Sequence, residues 1–197
     1  MSLKNFCDQH GYYISETIPS NWNRYWDGIP SVTTLLSILV DPKFEYIKKN
    51  HKQALHDAAN RGKETHAKAE SFYRWLGTTL HPQILKFHIV HWVEVIWLEE
   101  RFEKDISGTV DCIWYMSKEW RTYNIDYKNT MHTSEKYKLQ LAGYQYLNGN
   151  PWWLLYLSDK KYIYDTNITE EHLELFLELK DLFFHKFNQW MFHQQKN

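Results

Sequence analysis

The spacing of apolar positions changes period along the chain, and the change separates a helical first half from a mixed second half. Val32, Leu35, Leu36 and Val40 recur on one helical face behind Pro30-Ser31, which suits a helix start. Asp41-Pro42 restarts the chain, and Phe44 to Asn60 reads as helix. Glycine in a helix interior costs about 1 kcal/mol. Arg61-Gly62 therefore predicts a break or bend, with a second helix from Lys63 to about Trp75. His81-Pro82 opens a further helix from Gln83 to about Trp92. Val93 to Glu103, Ile106 to Met116 and Trp120 to Lys128 are then rich in β-branched and aromatic residues, which predicts three strands. Ser134 to Leu147 is helical and ends in the turn residues Asn148-Gly149-Asn150-Pro151. Trp153 to Leu157 and Lys161 to Tyr164 predict a strand pair around Ser158-Asp159-Lys160.

The first thirty residues are aromatic and turn-rich, with a short strand expected within His10 to Thr17 and a loop from Asn21 to Pro30. The last helix begins at Thr169, an N-cap residue type, with Glu170 and Glu171 favouring the helix dipole. Its apolar stripe is Leu173, Phe176, Leu177, Phe183, Phe184, Phe187, Trp190 and Met191, expected to pack on the sheet, with a dimer face as the alternative. This order predicts one domain of α/β (α+β) class: a central mixed sheet, carrying an antiparallel hairpin, flanked by helices. Its parts are an aromatic N-terminal segment over 1–30, a core over 31–166 and a C-terminal helix over 167–197.

Composition narrows the function. Aromatic residues are 17% of the 197-residue chain, enough to bury a core, which excludes disorder for most of it. No apolar run approaches the ~18 residues of a membrane helix, and no basic start precedes an apolar stretch, so neither span nor secretory signal is expected. The two cysteines, Cys7 and Cys112, support no disulfide framework, four-cysteine zinc site or iron–sulfur cluster, and an intracellular (cytoplasmic) protein is the simplest expectation. A net charge of −1 excludes a globally basic nucleic-acid binder. Residues 43–76 nevertheless set eight Lys and Arg against four Asp and Glu, a pattern that commonly marks a solvated helix face.

The most informative stretch runs from Gly108 through Asp111 to Asp126 and Lys128. Side chains alternate along a strand, so Asp126 and Lys128 share a face and Tyr127 takes the other. A hairpin with a two- or four-residue loop around Lys118-Glu119 sets Asp111 directly opposite Asp126. An odd-length loop would separate them. Opposed β-carbons lie about 4.5–5.5 Å apart, and two carboxylates that close repel. A divalent cation resolves the conflict, and hard oxygen ligands suit Mg²⁺ or Mn²⁺. Lys128 would reach the same place and hold a water nucleophile. An ordinary salt-bridge cluster on a solvated sheet face accounts for the same residues.

Gly108-x-x-Asp111, Asp126-x-Lys128 and Gln140-x-x-x-Tyr144, in that order, resemble the signature of the PD-(D/E)XK nucleases, and of their RecB-type exonuclease branch in particular. Arg61-Gly62-Lys-Glu-Thr-His66 is similar to that branch's upstream histidine motif, and Ser31-Val-Thr33 to its N-terminal lead-in. The resemblance spans roughly residues 30–147 and implies a restriction-endonuclease-like core. It implies that His66, Asp111, Asp126 and the Tyr127 carbonyl hold one or two Mg²⁺ or Mn²⁺ ions, and that Lys128 is the catalytic lysine. Gln140 and Tyr144 match the pair that supports the site and the DNA backbone, and their spacing puts both on one helix face. The chain departs from the pattern at Asn129, where the family often has threonine. The additional acid is ambiguous: Glu99 is the choice, with Glu94, Glu100 and Glu70 as alternatives.

The resemblance implies a metal-dependent deoxyribonuclease, an exonuclease or one preferring single strands or duplex ends, in DNA repair, recombination or phage and mobile-element processing. Arg61, Lys63 and Tyr137, with Gln140 and Tyr144, are the candidate substrate contacts. Trp22, Tyr25 and Trp26 with Arg24 would either stack bases or close one end of the core. The near-neutral charge points to a helicase or recombinase partner, or to self-association, as the source of processivity. The rival reading is a nuclease-like fold without chemistry that binds DNA or a protein.

Overall fold

The computed structural model describes residues 1–16, 29–74, 76, 79–167 and 169–194, the side chains of 188–194 excepted. Its centre is a five-stranded mixed sheet in the order β3 (Val93–Glu103), β4 (Ser107–Met116), β5 (Arg121–Lys128), β6 (Trp152–Leu157), β7 (Tyr162–Asp165). A small antiparallel pair, β1 (Tyr13–Ile14) with β2 (Leu39–Val40), lies apart. The sheet is antiparallel except between β5 and β6. That parallel pair needs a crossover, and helix α6 (Glu135–Asn148) supplies it. The class is the mixed α/β architecture that the element order predicts.

Two hydrophobic layers cover the sheet. One joins Leu139, Leu141, Ala142 and Tyr144 of α6 to α1 (Leu3–His10), α2 (Val32–Leu36) and α7 (Glu170–Gln194). The other joins Ala69 of α4 (Lys52–Tyr73) and Ile84 and Phe87 of α5 (Pro82–His91) to Cys112, Trp114, Ile125 and Tyr127. On β6 alternate residues serve alternate layers: Trp152, Leu154 and Tyr156 one, Trp153, Leu155 and Leu157 the other. No helix among the described residues is long and apolar enough to cross a membrane.

Several expectations are corrected. The break expected at Arg61-Gly62 falls instead at His51, between α3 (Pro42–Asn50) and α4, and α4 runs unbroken for 22 residues. Packing of Thr65 and Ala69 outweighs the cost of Gly62, around which a β-carbon would meet open space. Helix α1 forms in a segment that reads as turn-rich, because Ser2 caps it and Leu3, Phe6 and Cys7 are buried. Val40 lies on β2 and not on the helix of Val32, which ends at Leu36. Helix α7 packs mainly on helices α6, α2 and α1 rather than on the sheet, and its buried residues are Leu175, Phe176, Leu179 and Phe183. Leu173 and Leu177 are only half-buried, and the side chains of Trp190 and Met191 lie outside the described residues. Gly143 likewise serves helix packing: a β-carbon there would lie 2.7 Å from the Phe176 ring of α7 and 2.8 Å from Val32 of α2. Trp22, Arg24, Tyr25, Trp26 and Trp75 also lie outside the described residues.

Candidate metal centre

The β4–β5 hairpin turns through four residues, and its ladder runs from Met116 opposite Arg121 to Cys112 opposite Ile125. That register carries Asp111 and Asp126 to the end of the ladder on adjacent strands, as an even-length loop requires. There the strands separate, and Asp111 replaces a ladder bond with its side chain. Its Oδ2 accepts the Tyr127 backbone N–H at 3.2 Å. His66 reaches this opening from α4, with Nδ1 3.3 Å from Asp111 Oδ1 and Nε2 donating to the Tyr127 carbonyl at 3.1 Å.

Glu99 enters from β3. His66, Glu99 and Asp111 each place a ligand atom so that all lie within 4.8 Å of one another. Glu99 also has φ of 50°, a left-handed backbone in the middle of a strand. A non-glycine residue held there stores strain, and such positions cluster at functional sites. Of the alternative acids, Glu70 lines the same cleft but pairs with Arg74 at 2.9 Å. Glu94 stands opposite Tyr115, far along the hairpin, and Glu100 lines a separate cavity.

Asp126 is 3% exposed and stands outside that triad. Its Oδ2 lies 2.7 Å from Lys128 Nζ but makes no aligned hydrogen bond. The expected sharing of one strand face by Asp126 and Lys128 is what this contact requires. Lys128 Nζ also donates to Gln140 Oε1 at 3.2 Å, and Gln140 Nε2 donates to the Tyr144 hydroxyl at 3.0 Å. The Tyr137 ring faces the same ammonium, 4.8 Å from its centroid. One face of α6 thus holds the lysine from behind. Gly108 makes this possible, since a β-carbon there would lie 2.7 Å from the Tyr144 ring and 2.9 Å from Leu147. The glycine three residues before Asp111 is a space for Tyr144.

The electrostatics follow from this crowding. Burial lowers the His66 pKa, but the hydrogen bond and charge of Asp111, with Asp126 and the Tyr127 carbonyl, raise it further, to about 9. Burial pushes the Asp126 carboxyl above its usual range, and Asp111 adds to this against the opposing pull of Lys128. Burial opposes the charge of Lys128, yet Asp126 and Asp111 overcome it and hold the ammonium protonated. Glu99 is raised by burial and by Asp111.

Arg61 and Lys63 are exposed on α4, one turn before His66. Ser31 caps α2, accepting from Thr34 N at 3.1 Å, and bridges to Ser107 beside Gly108, so the lead-in segment positions the start of β4. Two supports escape notice in the sequence because they depend on tertiary contact. Asn129 Nδ2 donates to Thr65 Oγ1 at 3.2 Å, and Thr65 Oγ1 donates to the Arg61 carbonyl at 3.0 Å. They tie the end of β5 to the turn of α4 that carries His66.

No family model and no curated protein matches the chain. Among solved structures, one described as "Crystal structure of SSO0001" aligns over 91% of this chain and 83% of its own, at 18% identity and a TM-score of 0.41. A likeness that distant carries no argument about function.

Proposed function

We propose that this protein is a metal-dependent nuclease of the PD-(D/E)XK class, with a restriction-endonuclease-like core, that hydrolyses phosphodiester bonds of DNA. The observation that carries the reading is the convergence of His66, Glu99, Asp111 and the Tyr127 carbonyl at the strand opening, beside the buried Asp126–Lys128 pair. The donor set fits a divalent cation: it is oxygen-rich, and the buried Asp126 Oδ2 lacks an aligned donor. His66, Glu99, Asp111 and the Tyr127 carbonyl would hold Mg²⁺ or Mn²⁺, with Asp126 adjoining. When bound, the cation would polarise the phosphate and acidify a water.

The chain's own groups do the rest. Lys128 is close enough for the Asp111 charge to act on it, its ammonium is aimed by Gln140, and it would orient the attacking water while neutralising charge on the phosphate. Tyr144 fixes Gln140, and Tyr137 covers the ammonium, so Lys128 has little rotational freedom. Exposed Arg61 and Lys63 would bind flanking phosphates. The proposal includes an intracellular setting, supported by two free, buried thiols at Cys7 and Cys112.

The test is cleavage of end-labelled single- and double-stranded DNA with Mg²⁺, Mn²⁺ or EDTA, wild type beside Asp126→Ala. Metal-dependent cutting lost in the variant is expected. A folded wild type that binds DNA without cutting it under either metal would overturn the reading and leave a binding module.

A further inference from the structure

Beside the metal centre lies a second, larger opening. A cavity of about 570 Å³ is walled by Phe72, Tyr73 and Arg74 at the end of α4, His88 of α5, and Trp97 and Glu100 of β3. Its β3 wall contains a shift of strand register between Val95 and Trp97, on the edge strand of the sheet. Such a bulge bends an edge strand and re-aims its side chains.

The cavity adjoins the metal cleft. Leu98 lines both this cavity and the cleft of His66, Glu99 and Asp111. The same two elements furnish both: α4 carries His66 and then Arg74, and β3 carries Glu99 and then Trp97. At about 1.5 Å per helical residue and 3.3 Å per strand residue, the two openings are about 7–12 Å apart. Arg74 is near enough that its charge acts on Glu99.

The lining is that of a site for a flat, π-faced ligand. Phe72 and Trp97 keep 37% and 58% of their surface in water, so their rings are open to a ligand in the cavity that both line. Tyr73 and His88 form a stacked floor, centroids 5.4 Å apart, with the hydroxyl 2.7 Å from His88 Nε2. Arg74 in the cavity wall pairs at 2.9 Å with Glu70, which lines the metal cleft. Glu100 offers an acceptor in the wall. The volume falls within the about 300–1,000 Å³ usual for small-molecule sites.

We propose that this cavity receives an unpaired nucleobase of a single-stranded oligonucleotide whose neighbouring phosphate lies at the His66–Glu99–Asp111 cluster. The inference rests on the nuclease reading and adds to it a base-accepting site. A base stacked and paired within a duplex has no free face to offer and must first be unstacked. The cavity therefore selects single strands or frayed ends.

Binding of single-stranded DNA and RNA oligonucleotides labelled with 2-aminopurine, followed in EDTA and in Ca²⁺, tests this. Trp97→Ala and Phe72→Ala should each weaken binding about tenfold, the scale of one lost stacking partner. Trp97→Phe should restore most of it. An oligonucleotide with a run of abasic sites should bind wild type and Trp97→Ala alike. Unchanged affinity in both alanine variants, or an equal penalty on the abasic oligonucleotide, would overturn the proposal. Mn²⁺-dependent cleavage, assayed in parallel, separates the two readings: cutting without Trp97 dependence sinks the base site alone. Trp97-dependent binding by a protein that never cuts supports the base site and sinks the nuclease reading.

Discussion

His66 Nε2 donates to the backbone carbonyl of Tyr127, 61 residues further along the chain, at 3.1 Å. Its other ring nitrogen faces Asp111 Oδ1 at 3.3 Å. Both neighbours are acceptors, so without metal the ring carries both protons, and the imidazolium occupies the place of a cation among carboxylates. Its pKa is raised from 6.5 to about 9. A group raised in the folded state contributes stability that is complete below its unfolded pKa and is lost as pH rises through its folded one. Thermal unfolding of the metal-free protein should therefore show a contribution that fades between about pH 6.5 and 9 and is missing in His66→Ala. Metal uptake must displace that proton, so Mn²⁺ affinity measured by calorimetry should rise over the same window.

Glu99 tests the choice among the upstream acids. Glu99→Gln should weaken Mn²⁺ binding by at least tenfold in a calorimetric titration, while Glu94→Gln leaves it unchanged. Glu99→Gly should lose the metal yet gain roughly 0.5–1 kcal/mol of unfolding free energy, because glycine adopts positive φ without strain. A less stable Glu99→Gly protein would count against stored strain at this position.

Lys128→Met separates chemistry from folding. Cleavage should fall by about 10²-fold or more, in line with loss of a group that positions and activates a nucleophile. The buried Asp126 would lose its cationic neighbour, and breaking such a pair costs about 3–5 kcal/mol. Because burial already raises the Asp126 carboxyl, acid should protonate it and return much of that stability. Urea unfolding of the variant at pH 5 and pH 8 would expose the difference, with the larger deficit at pH 8.

Gly108→Ala should cost about 1–3 kcal/mol through overpacking against Tyr144 and Leu147. Displacement of the Tyr144 ring should loosen the Gln140–Lys128 contact and slow cleavage as well. Gly143→Ala meets Phe176 and Val32 instead, away from the lysine, and should lower stability with a smaller effect on rate. Comparable rate losses in both would show that the effect travels through α6 as a whole.

The parts of the site that rest on local periodicity are legible in the sequence. Strand alternation places Asp126 with Lys128, an even hairpin loop brings Asp111 beside Asp126, and four-residue spacing aligns Gln140 with Tyr144. Helix ends were less legible. The penalty at Gly62 is local and small, whereas the burial of Thr65 and Ala69 that overrides it depends on a sheet distant in sequence. The face of α7 is set in the same way, since Leu175 and Leu179 are buried on a helix that packs mainly on α6, α2 and α1.

By itself, then, the sequence determined the mixed α/β class and the residue types able to hold a divalent cation, both of which follow from short-range geometry, while the four-residue turn between Met116 and Arg121 chose among the registers it left open. Only the tertiary structure decided that Glu99 joins His66 and Asp111, that Gly108 is a space for Tyr144, and that Phe72, Arg74 and Trp97 share one cavity. These are contacts between elements far apart in the chain. Their distances depend on how two helical layers close over a sheet, and a one-dimensional pattern does not encode that closure.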